Sequence, residues 1–331
     1  MARLFVRTLA LVAAAILVGC SPGETTDRKP AAAESLDTQK FAVSRSIEET
    51  PRTLSIPYAG SILNTGKPVR ARDYKWQVAI QVGHGKGWRC GGVLISRSYV
   101  LTAAHCVDAA SAKDFSKIVR VDQAKIGVFH GGDKFGDGAR LALDPTWAIR
   151  FHPKWKTTGQ AFAWDAAILK LARPVGDAVP APARTVALSG GQAVTSGWGA
   201  YDATDAPSLF LRAVEVPLVS NAVCRASMPG SLADDVGDFT LCAASRTDDA
   251  CSRDSGGPLV IGSADQPQTV GIVSWGPSGA CGQPNADGVL VGAYTRISAI
   301  APWIASQTGD PATVTNRVAG PLIVIRPRDD I

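Results

Sequence analysis

The chain has 331 residues, 46% of them hydrophobic and 19% charged, a balance that builds a packed core and excludes an intrinsically disordered polymer. The net charge of +5 is spread too thinly over this length for a nucleic-acid-binding surface, and no fixed-period repeat argues for a solenoid or propeller. Thirty-three Gly and 21 Pro mark a turn-rich chain that is still short of low complexity.

At the N-terminus, Arg3 and Arg7 precede and enter an otherwise uncharged apolar run that reaches Val18. It is about half the roughly 20 residues that span a bilayer, so it reads as an export signal and not as a permanent anchor. Leu17-Val18-Gly19-Cys20 resembles the bacterial lipobox. That resemblance implies a signal over residues 1–19, a lipid on Cys20 and a place in the bacterial cell envelope, in the periplasm or at the outer membrane or cell surface. Setting Cys20 aside leaves six of the seven cysteines: Cys90, Cys106, Cys224, Cys242, Cys251 and Cys281. An even set in an exported chain allows three disulfides, and spacing alone leaves their connectivity open. Residues 20–60 hold polar and small stretches without a helical or strand period, and read as a flexible linker.

Beyond the linker, Trp76-Gln77-Val78-Ala79-Ile80-Gln81-Val82 alternates apolar and polar residues as a strand does. Further short β-type runs follow at 93–95, 99–101, 166–171, 193–198, 214–219, 259–261 and 270–275, with Gly and Pro in almost every gap. Ile297, Ile300, Trp303 and Ile304 recur at helical spacing and predict one C-terminal helix. The pattern is all-β with a terminal helix, not an alternation of strands and helices. After it, Pro321-Leu322-Ile323-Val324-Ile325 suggests an extra edge strand or a docking segment. His84, His130 and His152 lack metal-ligand spacing, and Asp133 and Asp137 lack the order of an EF-hand, so neither a metal nor another cofactor is expected.

Three separated motifs carry chemistry. Leu101-Thr102-Ala103-Ala104-His105-Cys106 sets a His just after a strand, and Trp164-Asp165-Ala166-Ala167-Ile168-Leu169 sets an Asp at the start of one. Cys251-Ser252-Arg253-Asp254-Ser255-Gly256-Gly257-Pro258 sets a Ser between an Asp and two glycines. A serine hydroxyl needs a neighbouring base to become a nucleophile, and a His has the pKa range for that task. In this order and context the motifs resemble the chymotrypsin/trypsin-like serine proteases, through most of residues 62–307.

The resemblance implies two antiparallel β-barrels with the site between them, and a protease domain over 61–307 followed by an extension over 308–331. It implies His105 as general base, Asp165 as its orienting acid, Ser255 as nucleophile, and the N–H groups of Arg253 and Ser255 as the oxyanion hole. It pairs Cys90 with Cys106, Cys224 with Cys242 and Cys251 with Cys281. Asp249, six residues before Ser255, matches the acid that selects Arg or Lys before the cleaved bond, with Ser274, Gly276 and Gly292 around it. Gly288-Val289 offers a second match for the pocket wall and would bring Asp287 near its entrance.

Two positions depart from the family pattern. Ser61 precedes Ile62-Leu63-Asn64-Thr65-Gly66, where the family's activating cleavage follows a basic residue. Arg253 stands where the family has Gly. Arg keeps the N–H, but its Cβ disfavours the backbone conformation Gly adopts. Losing that donor would remove about 2.7–4 kcal/mol of transition-state stabilisation and leave a binding module on a protease fold, the alternative reading. With the donor kept, the Arg253 side chain is expected to face the leaving-group side and favour acidic residues there.

Overall fold

The computed structural model describes residues 66–331 apart from 84–86, 111–112, 189, 203, 278–283, 324 and 329–331. The export signal, Cys20, the linker, Ile62, His84 and Cys281 therefore lie outside the described residues. In chain order the strands are β1 (Lys67–Pro68), β2 (Gln77–Val82), β3 (Trp88–Leu94), β4 (Tyr99–Thr102), β5 (Ile126–Gly131), β6 (Gly138–Leu141), β7 (Arg150–Phe151) and β8 (Ala167–Lys170). They continue with β9 (Ala183–Arg184), β10 (Gly191–Gly197), β11 (Arg212–Val219), β12 (Thr240–Ser245), β13 (Pro258–Ser263), β14 (Gln266–Trp275), β15 (Leu290–Arg296) and β16 (Val314–Thr315). Among the described residues three α-helices intervene: α1 (Ala104–Val107), α2 (Asn221–Ser227) and α3 (Ile297–Thr308).

The strands form two sheets. The first runs β6-β5-β2-β3-β4-β8-β7, antiparallel throughout. The second runs β13-β10-β11-β12-β15-β14, and pairing of β13 with β14 closes these six strands into a barrel. The all-β architecture with a terminal helix is as expected. In the first sheet the ladder stays open between β6 and β7 among the described residues, so hydrogen bonds close one barrel and leave the other half as an antiparallel sheet.

The alternation in β2 shows how the halves meet. Val78, Ile80 and Val82 enter the core of the first sheet, whereas Ala79 joins a second cluster with Val194 and Val260 of the closed barrel. Gln77, on that same face, is buried and accepts a hydrogen bond from the Ser196 hydroxyl at 2.7 Å. A polar residue within the alternation is thus satisfied across the two sheets instead of facing water. Helix α3 seals this region with Ile297, Ile300, Trp303 and Ile304, the residues its sequence spacing picks out. It ends at Gly309, whose φ of 60° supports a left-handed cap.

The chain then folds back along the domain: a short edge strand forms before the apolar run 321–325, and the run itself docks on the core instead of forming a strand among its described residues. β16 runs parallel to β9, Ile323 is buried in the cluster shared by the two sheets, and the Arg328 guanidinium meets Asp133 at 2.7 Å. The Arg328 N–H also donates to Pro68 O at 2.8 Å, tying the tail to the start of the domain. Asp133 is occupied by Arg328 and by the Ala71 N–H at 2.7 Å, so this loop uses its acid to join chain segments. Ile323→Ala is expected to destabilise the fold by about 2–5 kcal/mol, the range for truncating a buried Ile, read as a lower urea midpoint at unchanged slope.

Candidate active site

Strand pairing brings the first two motif residues together. β4 and β8 pair with Thr102 opposite Ala167, and His105 follows three residues after the one while Asp165 precedes the other by two. Asp165 is fully buried. Its Oδ1 accepts the His105 main-chain N–H at 2.9 Å, and its Oδ2 lies 2.7 Å from His105 Nδ1. The Ser274 hydroxyl donates to the same Oδ2 at 2.6 Å, and the Thr295 hydroxyl donates to Asp165 O at 2.7 Å. A carboxylate only accepts, so it holds the imidazole as the tautomer with its proton on Nδ1 and a free lone pair on Nε2. Burial pulls the His105 pKa down, but the charge and hydrogen bond of Asp165 outweigh it and the net shift is upward from 6.5. The ring of Phe162 packs edge-on against His105 with centroids 5.6 Å apart.

Ser255 comes close to this pair from the closed barrel, three residues before β13. Its carbonyl accepts the Gly91 N–H at 2.8 Å and lies 3.5 Å from Cys106 Sγ, which is itself 3.9 Å from His105 Nε2. This approach needs glycines: a Cβ on Gly91 would come within 2.7 Å of Gly257 Cα. Cys90 and Cys106 are joined, fastening β3 to α1 beside His105, and Cys224 is joined to Cys242. Cys251 is also in a disulfide, and its expected partner lies outside the described residues. Cys90, His105 and Cys106 could meet a metal by distance alone. Both sulfurs are consumed in the disulfide and His105 is held by Asp165, so this donor set does not fit one.

The turn before Ser255 carries the departure from the family pattern. Asp254 N–H donates to Cys251 O at 2.9 Å, and Arg253 has a φ of 74°. This is the hydrogen bond and the positive third-residue φ of a type II turn, a place that favours Gly. Arg253 takes the glycine-like conformation at a cost of about 1–2 kcal/mol, and does not turn away. Its guanidinium is not free for acidic residues after the cleaved bond, contrary to expectation. Nη1 donates to Asp205 O at 2.7 Å and Nη2 pairs with Asp205 Oδ2 at 2.9 Å. Asp254 accepts N–H groups from Gly199 and Cys251, and burial lifts its pKa to about 6.

The chain matches the trypsin family model over residues 63–304. It belongs to the trypsin family. It is 34% identical to trypsin iota of Drosophila melanogaster, with 70% of this chain and 83% of that one covered. It is 33% identical to tryptase of Mus musculus, covering 72% and 86%, and 30% identical to cationic trypsin-3 of Rattus norvegicus, covering 72% and 86%. Its closed barrel, second antiparallel sheet and terminal helix are the chymotrypsin fold.

Among the expected pocket residues of this trypsin-family chain, Asp249 and Gly292 are neighbours: any Cβ on Gly292 would collide with Asp249 Oδ1. Gly292 sits on β15, and Gly276 directly follows β14, the strand beside it. At the second match, Gly288 approaches Arg246, whose guanidinium donates to Asp287 O at 2.8 Å. Burial pushes the Asp249 carboxyl up to about 8, partly offset by the hydrogen bond from Ala250 N–H. Ser274, expected beside the pocket, spends its hydroxyl on Asp165. Sequence reasoning missed Thr295 and Asp205 altogether, since each acts from a strand or loop remote from the motifs.

Proposed function

We propose that this chain is an exported serine endopeptidase that cleaves after Arg or Lys. Ser255 attacks the scissile carbonyl, and His105 takes its proton through Nε2 and passes it to the leaving amine. Asp165 fixes the imidazole and stabilises the imidazolium. The N–H groups of Arg253 and Ser255 receive the oxyanion. The observation that carries the reading is the buried Asp165 at 2.7 Å from His105 Nδ1 in a chain of the trypsin family. The retained turn at Arg253 favours an enzyme over a catalytically crippled binder. Asp249, enclosed beside Gly292, is the anionic base of the pocket and pairs with the substrate cation by charge-assisted hydrogen bonds. The two disulfides between described residues fit an oxidising compartment, and lipid on Cys20 with residues 20–60 as tether would hold the enzyme to the cell envelope.

Hydrolysis of arginyl and lysyl esters in preference to esters of neutral residues tests this function. Equal rates on both, or no turnover, would contradict it. The pocket also predicts a pH dependence. Only the ionised Asp249 pairs with a cation, and its carboxyl titrates at about 8 in the free protein. The affinity for an aryl amidine is therefore expected to rise about tenfold per pH unit from pH 6 to 8, then level off. Calorimetric titration checks this, and a flat profile would count against Asp249 as the binding acid.

A further inference from the structure

The type II turn that presents the Arg253 N–H is gripped at two points from the chain that follows β10, by Ala200 and by Asp205. Ala200 N–H donates to Ser252 O at 2.8 Å. That carbonyl shares a planar trans peptide with the Arg253 N–H, so holding the oxygen on one side aims the N–H to the other. The second grip is on the side chain, where the Arg253 guanidinium bonds both Asp205 O and Asp205 Oδ2. Asp205 meets it with its own left-handed backbone, at a φ of 58°. Neither the Arg253 N–H nor the Ser255 N–H donates to another group among the described residues, so both remain available.

We propose that Asp205 is a positioning residue for the oxyanion hole, clamping Arg253 in a turn that a glycine would adopt unaided. The inference rests on the endopeptidase reading above and adds to it a reason why an Arg is tolerated at this position. Without the clamp, a residue bearing a Cβ leaves the left-handed region for part of the time. The competent fraction of the enzyme then falls while substrate binding elsewhere is untouched. An oxyanion donor acts on charge that develops only in the transition state, so the loss belongs to kcat and not to KM.

The test is a double-mutant cycle on arginyl-ester hydrolysis, with each enzyme counted by titration with a serine-directed phosphonate, so that misfolded protein does not enter the rate. Asp205→Ala is expected to lower kcat about tenfold with KM changed less than twofold. In an Arg253→Gly background, the same Asp205→Ala change is expected to alter kcat by less than twofold, because Gly needs no clamp. Arg253→Lys is expected to lower kcat in part, since one ammonium cannot hold both Asp205 oxygens in the planar fork. Equal losses from Asp205→Ala in both backgrounds, an effect confined to KM, or no effect at all would overturn the clamp while the protease reading stands. A wild-type chain with neither turnover nor phosphonate labelling would remove both.

Discussion

Ser255→Ala is expected to lower kcat on an arginyl ester by about 10⁶-fold with little change in KM. The size of this loss follows from how the site is divided. On the proposed mechanism Ser255 supplies the atom that forms the new bond, and its own carbonyl is fixed by the Gly91 N–H beside Cys106. On the same reading the pocket at Asp249 and the N–H of Arg253 survive the substitution, so substrate is expected still to bind and a residual rate of about 10³–10⁴ over water to persist through them. The Cys90–Cys106 bond and the His105–Asp165 pair are also untouched. A parallel fall in thermal stability is therefore not expected, and an unchanged melting curve separates lost chemistry from lost fold.

Asp165→Asn is expected to cost about 10⁴-fold in kcat, for a reason that lies in the tautomer. The carboxylate accepts from His105 N–H, His105 Nδ1 and the Ser274 hydroxyl at once. An amide has one oxygen for these three donors and brings an NH₂ of its own. The NH₂ turned toward Nδ1 forces the ring proton onto Nε2, where it blocks acceptance of the serine proton. The charge that lifts the His105 pKa also disappears, which leaves burial to pull it down. The acid limb of the pH–rate profile should accordingly lie above pH 6.5 in the wild type, because only the neutral imidazole accepts a proton, and should move to lower pH in the variant. A limb that stays in place would show that Asp165 does not govern this titration.

The site was legible in sequence where a single residue must stand in a particular local context. His105 after a strand, Asp165 at a strand start and Ser255 among glycines each carry their surroundings with them. The partners that hold them were not legible. Ser274 and Thr295 lie on β14 and β15, and their hydroxyls acquire meaning only when the closed barrel swings them against Asp165. The Asp205 clamp is hidden for the same reason, as nothing near Asp205 marks it as the partner of a residue 48 positions away.

The fold shows a similar division. β-branched runs such as 214–219 and 270–275 announced strands. β12, of sequence TLCAAS, did not: it is buried along its whole length, yet its small residues lack alternation and pack because both faces meet protein. β5 opens with Ile126-Gly127 and closes on His130-Gly131, so glycine signals that suggest turns fall inside a paired strand. The tail was ambiguous because a five-residue apolar run has no periodicity to read. Its burial at Ile323 and its anchor at Arg328 depend on a groove built by distant segments.

The central claim, that Ser255 is made reactive by His105 and His105 by Asp165, is tested most directly by covalent labelling. The full-length protein is incubated with a phosphonate ester bearing an arginine-like side chain, and the modified peptide is mapped by mass spectrometry. One adduct per chain on Ser255 is predicted, formed at a rate that rises with pH through the His105 titration and collapses in His105→Ala and Asp165→Asn. An adduct on another residue, or labelling of Ser255 that proceeds unchanged without His105, would contradict the account.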